Sequence, residues 1–185
     1  MSKTIEMIKS YKPYNEQEEK DKQFFIECEN IEQILTRDNE RCHLTSSAVV
    51  VNKQRTKMLC IYHNIYNSWT WVGGHADGDD DMLYVAKKEA GEETSIKNIK
   101  VLIDKPIAID SLPVAGHVKR GKYVPAHSHL NVTYLFEADD TEKIQIKADE
   151  NSNVAWLSFE EILKFTTEPH MKPVYRKIFD RAKLV

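Results

Sequence analysis

WVGGHADGDDDMLYVAKKEAGEETSI, residues 71–96, joins a double glycine, an acidic turn and a helix-like segment ending in clustered glutamates. On a helical wheel advancing ~100° per residue, Met82, Leu83, Val85, Ala86, Ala90 and Ile96 share one broad apolar arc. Glu89 and Glu93 fall in the middle of that arc and Glu92 at its edge, while Tyr84, Lys87, Lys88, Gly91 and Ser95 take the opposite side. A solvated charged face is the ordinary reading of such a string, but the arc turns carboxylates inward. Like charges three and four residues apart repel by about 0.2–0.5 kcal/mol per pair. Desolvating them beside apolar neighbours costs several kcal/mol more unless a cation pairs with them. A divalent ion resolves the conflict, and hard oxygen donors without a thiol select Mg²⁺ or Mn²⁺ over zinc. Gly73 and Gly74 let the backbone approach closely and expose a carbonyl, and the turn from Asp77 to Asp81 leads into the helix.

The spacing of these residues resembles the Nudix box, G-x5-E-x7-R-E-U-x-E-E-x-G-U, where U is a bulky aliphatic residue. Gly74 takes the first glycine, Asp80 the first glutamate, and Lys88-Glu89-Ala90-Gly91-Glu92-Glu93-Thr94-Ser95-Ile96 the remainder. The departures are Asp80 for Glu, Lys88 for Arg, Ala90 at an aliphatic position and Ser95 for the final Gly; the E-x-x-E-E core is intact. The resemblance runs from about His43 to Phe165 and leaves out the N-terminal arm. It implies an α/β/α sandwich around a mixed β-sheet, and a hydrolase that cleaves the pyrophosphate of a nucleoside diphosphate linked to another moiety. In the implied mechanism water attacks phosphorus in line, while metal held by Glu89, Glu92, Glu93 and the Gly73 carbonyl neutralises phosphate oxygens and acidifies the water. Glu89 is the first choice of general base. Lys88 stands where the family's arginine orients the glutamates, offering a point charge in place of a bidentate fork. Glu137 and Glu142 are further candidates for an acidic ligand.

Outward from the box, HLTSSAVVVN alternates as a strand, with Leu44, Ser46, Ala48 and Val50 on one side and His43, Thr45, Ser47 and Val49 on the other; TKMLCIYH reads as its hairpin partner. IKVLIDKPIAIDSLPV and SHLNVTYLFEAD are β-rich segments separated by a basic loop, GHVKRGKYVPA. NVAWLS leads into a short helix with a capping box at Ser158 and Glu161, and a last helix from about Pro173 aligns Val174, Ile178 and Ala182 with Tyr175 and Phe179. At the other end Asn15 caps a helix whose apolar stripe is Phe24, Cys28, Ile31 and Leu35, after a shorter helix broken off by Pro13. Interleaved strands and helices give an α/β or α+β class, with residues 1–40 as a helical arm that caps the core or makes a homodimer, and 41–185 as the hydrolase domain.

Length limits the chain to one domain, and a net charge of −3 gives no electrostatic reason for nucleic-acid or membrane binding. Cys28, Cys42 and Cys60 fit neither a disulfide framework nor a CxxC zinc site. Reduced thiols, with neither a signal peptide nor a membrane span, point to the cytoplasm.

Other residues bear on the substrate. Tyr66, Trp69 and Trp71 precede the glycines, either as hairpin packing or as a stacking surface for a base or sugar. Lys119, Arg120 and Lys122 either hold a terminal phosphate or carboxylate or form a solvated loop. His127 and His129 share a strand face with Asn131 and Thr133, and with His43 and His75 they converge on one polar cavity beside the carboxylates. There they act as separate neutral hydrogen-bonding residues or as ligands of a second, borderline transition metal, released as imidazoles protonate near their ordinary pKa of about 6.5. Two other functions compete: a noncatalytic Nudix domain sensing a nucleotide, and an isopentenyl-diphosphate isomerase-like metalloenzyme, faintly suggested by Cys42-His43-Leu44 and Gly74-His75 but lacking a cysteine where Gly73 stands.

Overall fold

A computed structural model describes residues 3–119, 121–146 and 151–184. In chain order the elements are helices α1 (Lys3–Ser10) and α2 (Glu16–Glu27), strands β1 (Cys42–Asn52), β2 (Lys57–His63), β3 (Ser68–Thr70) and β4 (Val72–His75), and helix α3 (Met82–Thr94). Strands β5 (Lys100–Val101), β6 (Ala108–Val114), β7 (His117–Lys119), β8 (Lys122–Val124), β9 (His127–Ala138) and β10 (Asn151–Ser158) follow, then helices α4 (Phe159–Phe165) and α5 (Met171–Ala182).

The main sheet runs β10-β2-β1-β9-β5, with β3 on β2, β4 on β1 and β6 on β9. Its centre, β1 beside β9, is parallel, and its other pairings are antiparallel, so the sheet is mixed. The two-residue period of a strand then builds two cores from one sequence. Leu44, Ala48 and Val50 of β1 join Val85, Ala86 and Ala90 of α3 in one cluster, while Val49 and Val51 join Tyr175, Ile178 and Phe179 of α5 in another. This is an α/β/α sandwich.

The N-terminal helices pack into the first of these cores through Ile8 and Phe25. The backbone N–H of Thr4 donates to Asp80 Oδ1 at 3.1 Å, so the aspartate at the box's first acidic position also caps α1. Helix α2 is held by a buried ionic knot: Lys177 Nζ lies 3.0 Å from Glu18 Oε1 and 2.6 Å from Asp110 Oδ1. Tyr11 Oη also donates to Glu18.

Two local expectations are corrected. Helix α2 ends at Glu27, followed by a single 3₁₀ turn at Cys28–Asn30, so Ile31 and Leu35 are not helical; Phe25 is buried and Phe24 exposed. The stripe failed because adjacent phenylalanines support either of two helical faces, and only packing chooses. The basic segment is not wholly a loop: β7 and β8 pair as a hairpin, and Arg120 lies outside the described residues. Lys177 is buried with its two carboxylates. The capping box at Ser158 and Glu161 is present, with both reciprocal hydrogen bonds. Among the described residues no helix is long and apolar enough to cross a membrane.

Candidate active site

Strand β4 is where the glutamates of α3 meet the sheet. It pairs with β1 in the register Thr45↔His75, Ser46↔Gly74 and Ser47↔Gly73. A Cβ at Gly74 would stand 2.3 Å from Glu89 Cδ, so Glu89 occupies the space that glycine leaves. A Cβ at Gly73 would stand 2.6 Å from the Ser46 carbonyl oxygen, so that glycine is demanded by the neighbouring strand instead. The Gly73 N–H donates to Glu93 Oε2 at 3.2 Å, and Asn151 Nδ2 donates to the other oxygen at 3.1 Å. Glu93 is therefore buried but satisfied, as a buried carboxylate must be.

Glu89, Glu93, Gly73 and Gly74 line a cavity of ≈ 270 Å³. Glu92 sits on the outer shoulder of α3, half-exposed, with Lys88 Nζ 4.0 Å away, and neither side chain lines the cavity. Asp81 caps the start of α3. At its end Ser95, in the place of the box's last glycine, adopts φ +61° and closes the helix with its N–H on the Gly91 carbonyl.

The sheet register assembles the histidines. On the parallel pair, His43 lies opposite His129 and Thr45 opposite Asn131; His75, opposite Thr45, comes in from β4. Strands ~4.8 Å apart set neighbouring rings at about that spacing: His43 lies 5.0 Å from His75, 4.9 Å from His127 and 5.1 Å from His129, centroid to centroid. All four line the same cavity as the glutamates. Burial holds the His43 imidazole below its ordinary pKa. His129 is held well below, by burial and then by the neighbouring His75, His43 and His127, so an unperturbed value near 6.5 does not describe these two rings.

Below the histidines, Asn131 Oδ1 accepts from both Thr45 Oγ1 (3.0 Å) and Ser47 Oγ (2.9 Å), giving the cavity a fixed polar floor. Arg37 also reaches the lining and forks onto Asp77, holding that carboxyl below the usual range. Of the aromatic candidates, Trp71 forms part of the wall and packs edge-on against Tyr175, 5.2 Å between centroids. Trp69 packs edge-on against Tyr62 and does not line the cavity. Tyr66 does, stacked on His63 at 4.3 Å, and burial pushes its hydroxyl up to about 12. Glu137 faces Lys100 and Glu142 accepts from the Lys97 N–H, both away from the cavity. Asn151, which fixes Glu93, was missed: it begins a strand 58 residues further on and carries no local signal. None of the three cysteines lines the cavity; all are free, with Cys28 and Cys42 Sγ atoms 3.7 Å apart.

The NUDIX domain family model matches residues 42–178. An RNA pyrophosphohydrolase of Pelagibacter ubique (strain HTCC1062) is 27% identical over 139 residues, covering 73% of this chain and 87% of the relative. Among solved structures, a C. elegans Ap4A hydrolase superposes with a TM-score of 0.57 at 20% identity, over 77% of this chain and 98% of its own. A Nudix hydrolase from Clostridium perfringens gives 0.57 at 18% identity, over 77% and 97%. The chain belongs to the Nudix family.

Proposed function

We propose that this enzyme hydrolyses a small nucleotide-derived diphosphate, with a divalent ion such as Mg²⁺ or Mn²⁺ held by Glu89, Glu93 and the Gly73 carbonyl, and that Glu92, half-exposed on the shoulder of α3, joins them when its side chain turns inward. The observation that carries the reading is the meeting of α3 with β4: Glu89 fills the space above Gly74 while Glu93 grips Gly73, and both carboxylates line one cavity. This donor set fits a hard cation, being oxygen-only on the α3 side. When bound, such an ion supplies Lewis-acid stabilisation of phosphate oxygens and acidifies a water.

The chain's own groups divide the remaining work. Glu89, with no Cβ opposing it at Gly74, is placed to take a proton from water at the cavity wall. Glu93, fixed by Gly73 and Asn151, holds the strand edge and helix in register. Asn131, Thr45 and Ser47 present a locked polar surface. The His63–Tyr66 stack and Trp71 offer flat apolar area for the non-phosphate moiety. The RNA pyrophosphohydrolase relative and the Ap4A hydrolase fold neighbour support a substrate with a nucleotide component. An isomerase reaction through a cavity thiol is not favoured, since the cysteines lie outside the lining.

The test is a phosphate-release screen over nucleoside di- and triphosphates, nucleotide sugars, dinucleoside polyphosphates and ADP-ribose, with Mg²⁺ or Mn²⁺ and with Glu93→Gln as control. The reading expects metal-dependent turnover of at least one compound, lost in the variant. Equal release by both proteins would contradict it.

A further inference from the structure

We propose that His43, His75 and His129 bind one borderline divalent transition metal such as Zn²⁺, at a site distinct from the glutamates of α3 and facing the same cavity. Their ligand atoms all lie within 4.8 Å of one another. They come from three strands whose mutual register is fixed by ladder hydrogen bonds, β4 and β9 flanking β1. A site built on paired strands needs little reorganisation to close on an ion.

Tautomer geometry gives the cluster its direction. His43 Nδ1 is 2.9 Å from the Asn39 carbonyl oxygen, which can only accept, so Nδ1 carries the hydrogen and Nε2 presents a lone pair. That ring is 4% exposed, and Nε2 has no hydrogen-bond partner among the described residues. A buried polar atom without a partner requires an explanation, and an imidazole oriented by a backbone carbonyl with its far nitrogen free is how histidine ligands are prepared. Asn39 is itself pinned, its side-chain oxygen accepting from the Arg41 and Cys42 N–H groups.

His127 repeats the device. Its Nδ1 is 2.8 Å from the Pro125 carbonyl oxygen, so its Nε2 lone pair points at His129 Nε2, 3.2 Å away. In a neutral pair His129 Nε2 must then donate, or both lone pairs turn to a shared ion. Four-coordinate zinc with bonds of about 2.0–2.1 Å places neighbouring nitrogens about 3.3 Å apart, the separation this pair already has. Imidazole donors select borderline metals over Mg²⁺. Three protein ligands leave a further position, which His127 or a ligand oxygen in the cavity can take. An ion there adds positive charge to a cavity whose α3 wall is anionic.

The experiment is calorimetric titration of chelator-stripped protein with Zn²⁺ in excess Mg²⁺, with Co²⁺ as a spectroscopic probe of nitrogen ligation. Expected is one Zn²⁺ per chain, with affinity reduced at least about a hundredfold in His129→Ala and His75→Ala. Glu92→Gln/Glu93→Gln should leave it unchanged, which separates this site from the hydrolase reading. His75 is partly exposed, so its variant decides the matter should His129→Ala fail to fold. Absence of Zn²⁺ binding, binding unaffected by His75→Ala, or binding lost in the glutamine variant would each overturn the proposal and leave the histidines as a hydrogen-bonded cluster.

Discussion

Glu93 accepts the backbone N–H of Gly73 at 3.2 Å. One helix carboxylate is thereby stitched to the edge of a four-residue strand, and that contact sets where the box faces the cavity.

The two glycines of that strand should respond differently to a methyl group. Gly74→Ala drives a Cβ onto the Glu89 carboxylate, a flexible side-chain end that can swing away. Stability should therefore fall by no more than about 1 kcal/mol while kcat drops at least about tenfold. Gly73→Ala meets the Ser46 carbonyl, which is backbone and cannot swing, and should cost about 1–3 kcal/mol. Urea unfolding of both variants checks the order; equal destabilisation would mean that the strand yields at both positions.

Lys88→Arg should preserve or raise activity. Lys88 is half-exposed and 4.0 Å from Glu92, a contact worth about 0–1 kcal/mol, whereas a guanidinium can fork onto a carboxylate. A large fall in kcat/KM would show that the ammonium serves some other partner.

Ser95 holds a left-handed conformation at the end of α3, with φ +61°. That geometry suits glycine, and Ser95→Gly should stabilise the protein by about 0.5–1 kcal/mol. Unchanged or lower stability in urea would mean that the serine side chain offsets the backbone cost.

Lys177→Met should cost about 3–5 kcal/mol near neutral pH, because it strands Glu18 and Asp110 as buried charges. Burial already raises Asp110 to about 6, with Glu18 and Asp21 adding to the rise and Lys177 opposing it; Arg181 also faces Glu18. A carboxyl raised in the folded state above its unfolded value near 3.8 binds its proton more tightly when folded, so folding gains as pH falls from above 6 towards 4. Without the lysine this gain is larger. The gap between variant and wild type should narrow on acidification, and a gap independent of pH would contradict the buried-charge account.

The sequence showed the site most clearly where a periodic rule governs. Helical spacing alone turned Glu89 and Glu93 towards the apolar arc, and strand parity alone put His127, His129 and Asn131 on one face. What it could not supply was register: that His43 stands opposite His129 follows from a parallel pairing 86 positions apart in sequence, which no local pattern encodes. Tertiary partners were equally hidden. Phe25 outcompeted Phe24 for the core, Lys177 was drawn inside by two carboxylates from distant elements, and Asn151 became the second partner of Glu93.

The most direct measurement is the turnover of Glu92→Gln/Glu93→Gln on whichever diphosphate the wild type hydrolyses, at saturating Mg²⁺, with urea unfolding of the same preparation. Neutralising two carboxylates removes charge that positions the ion and its water, and at the buried Glu93 it also removes a desolvation cost. The account predicts a folded protein whose kcat is lower by at least about a hundredfold; a folded double variant that turns over at the wild-type rate would contradict it.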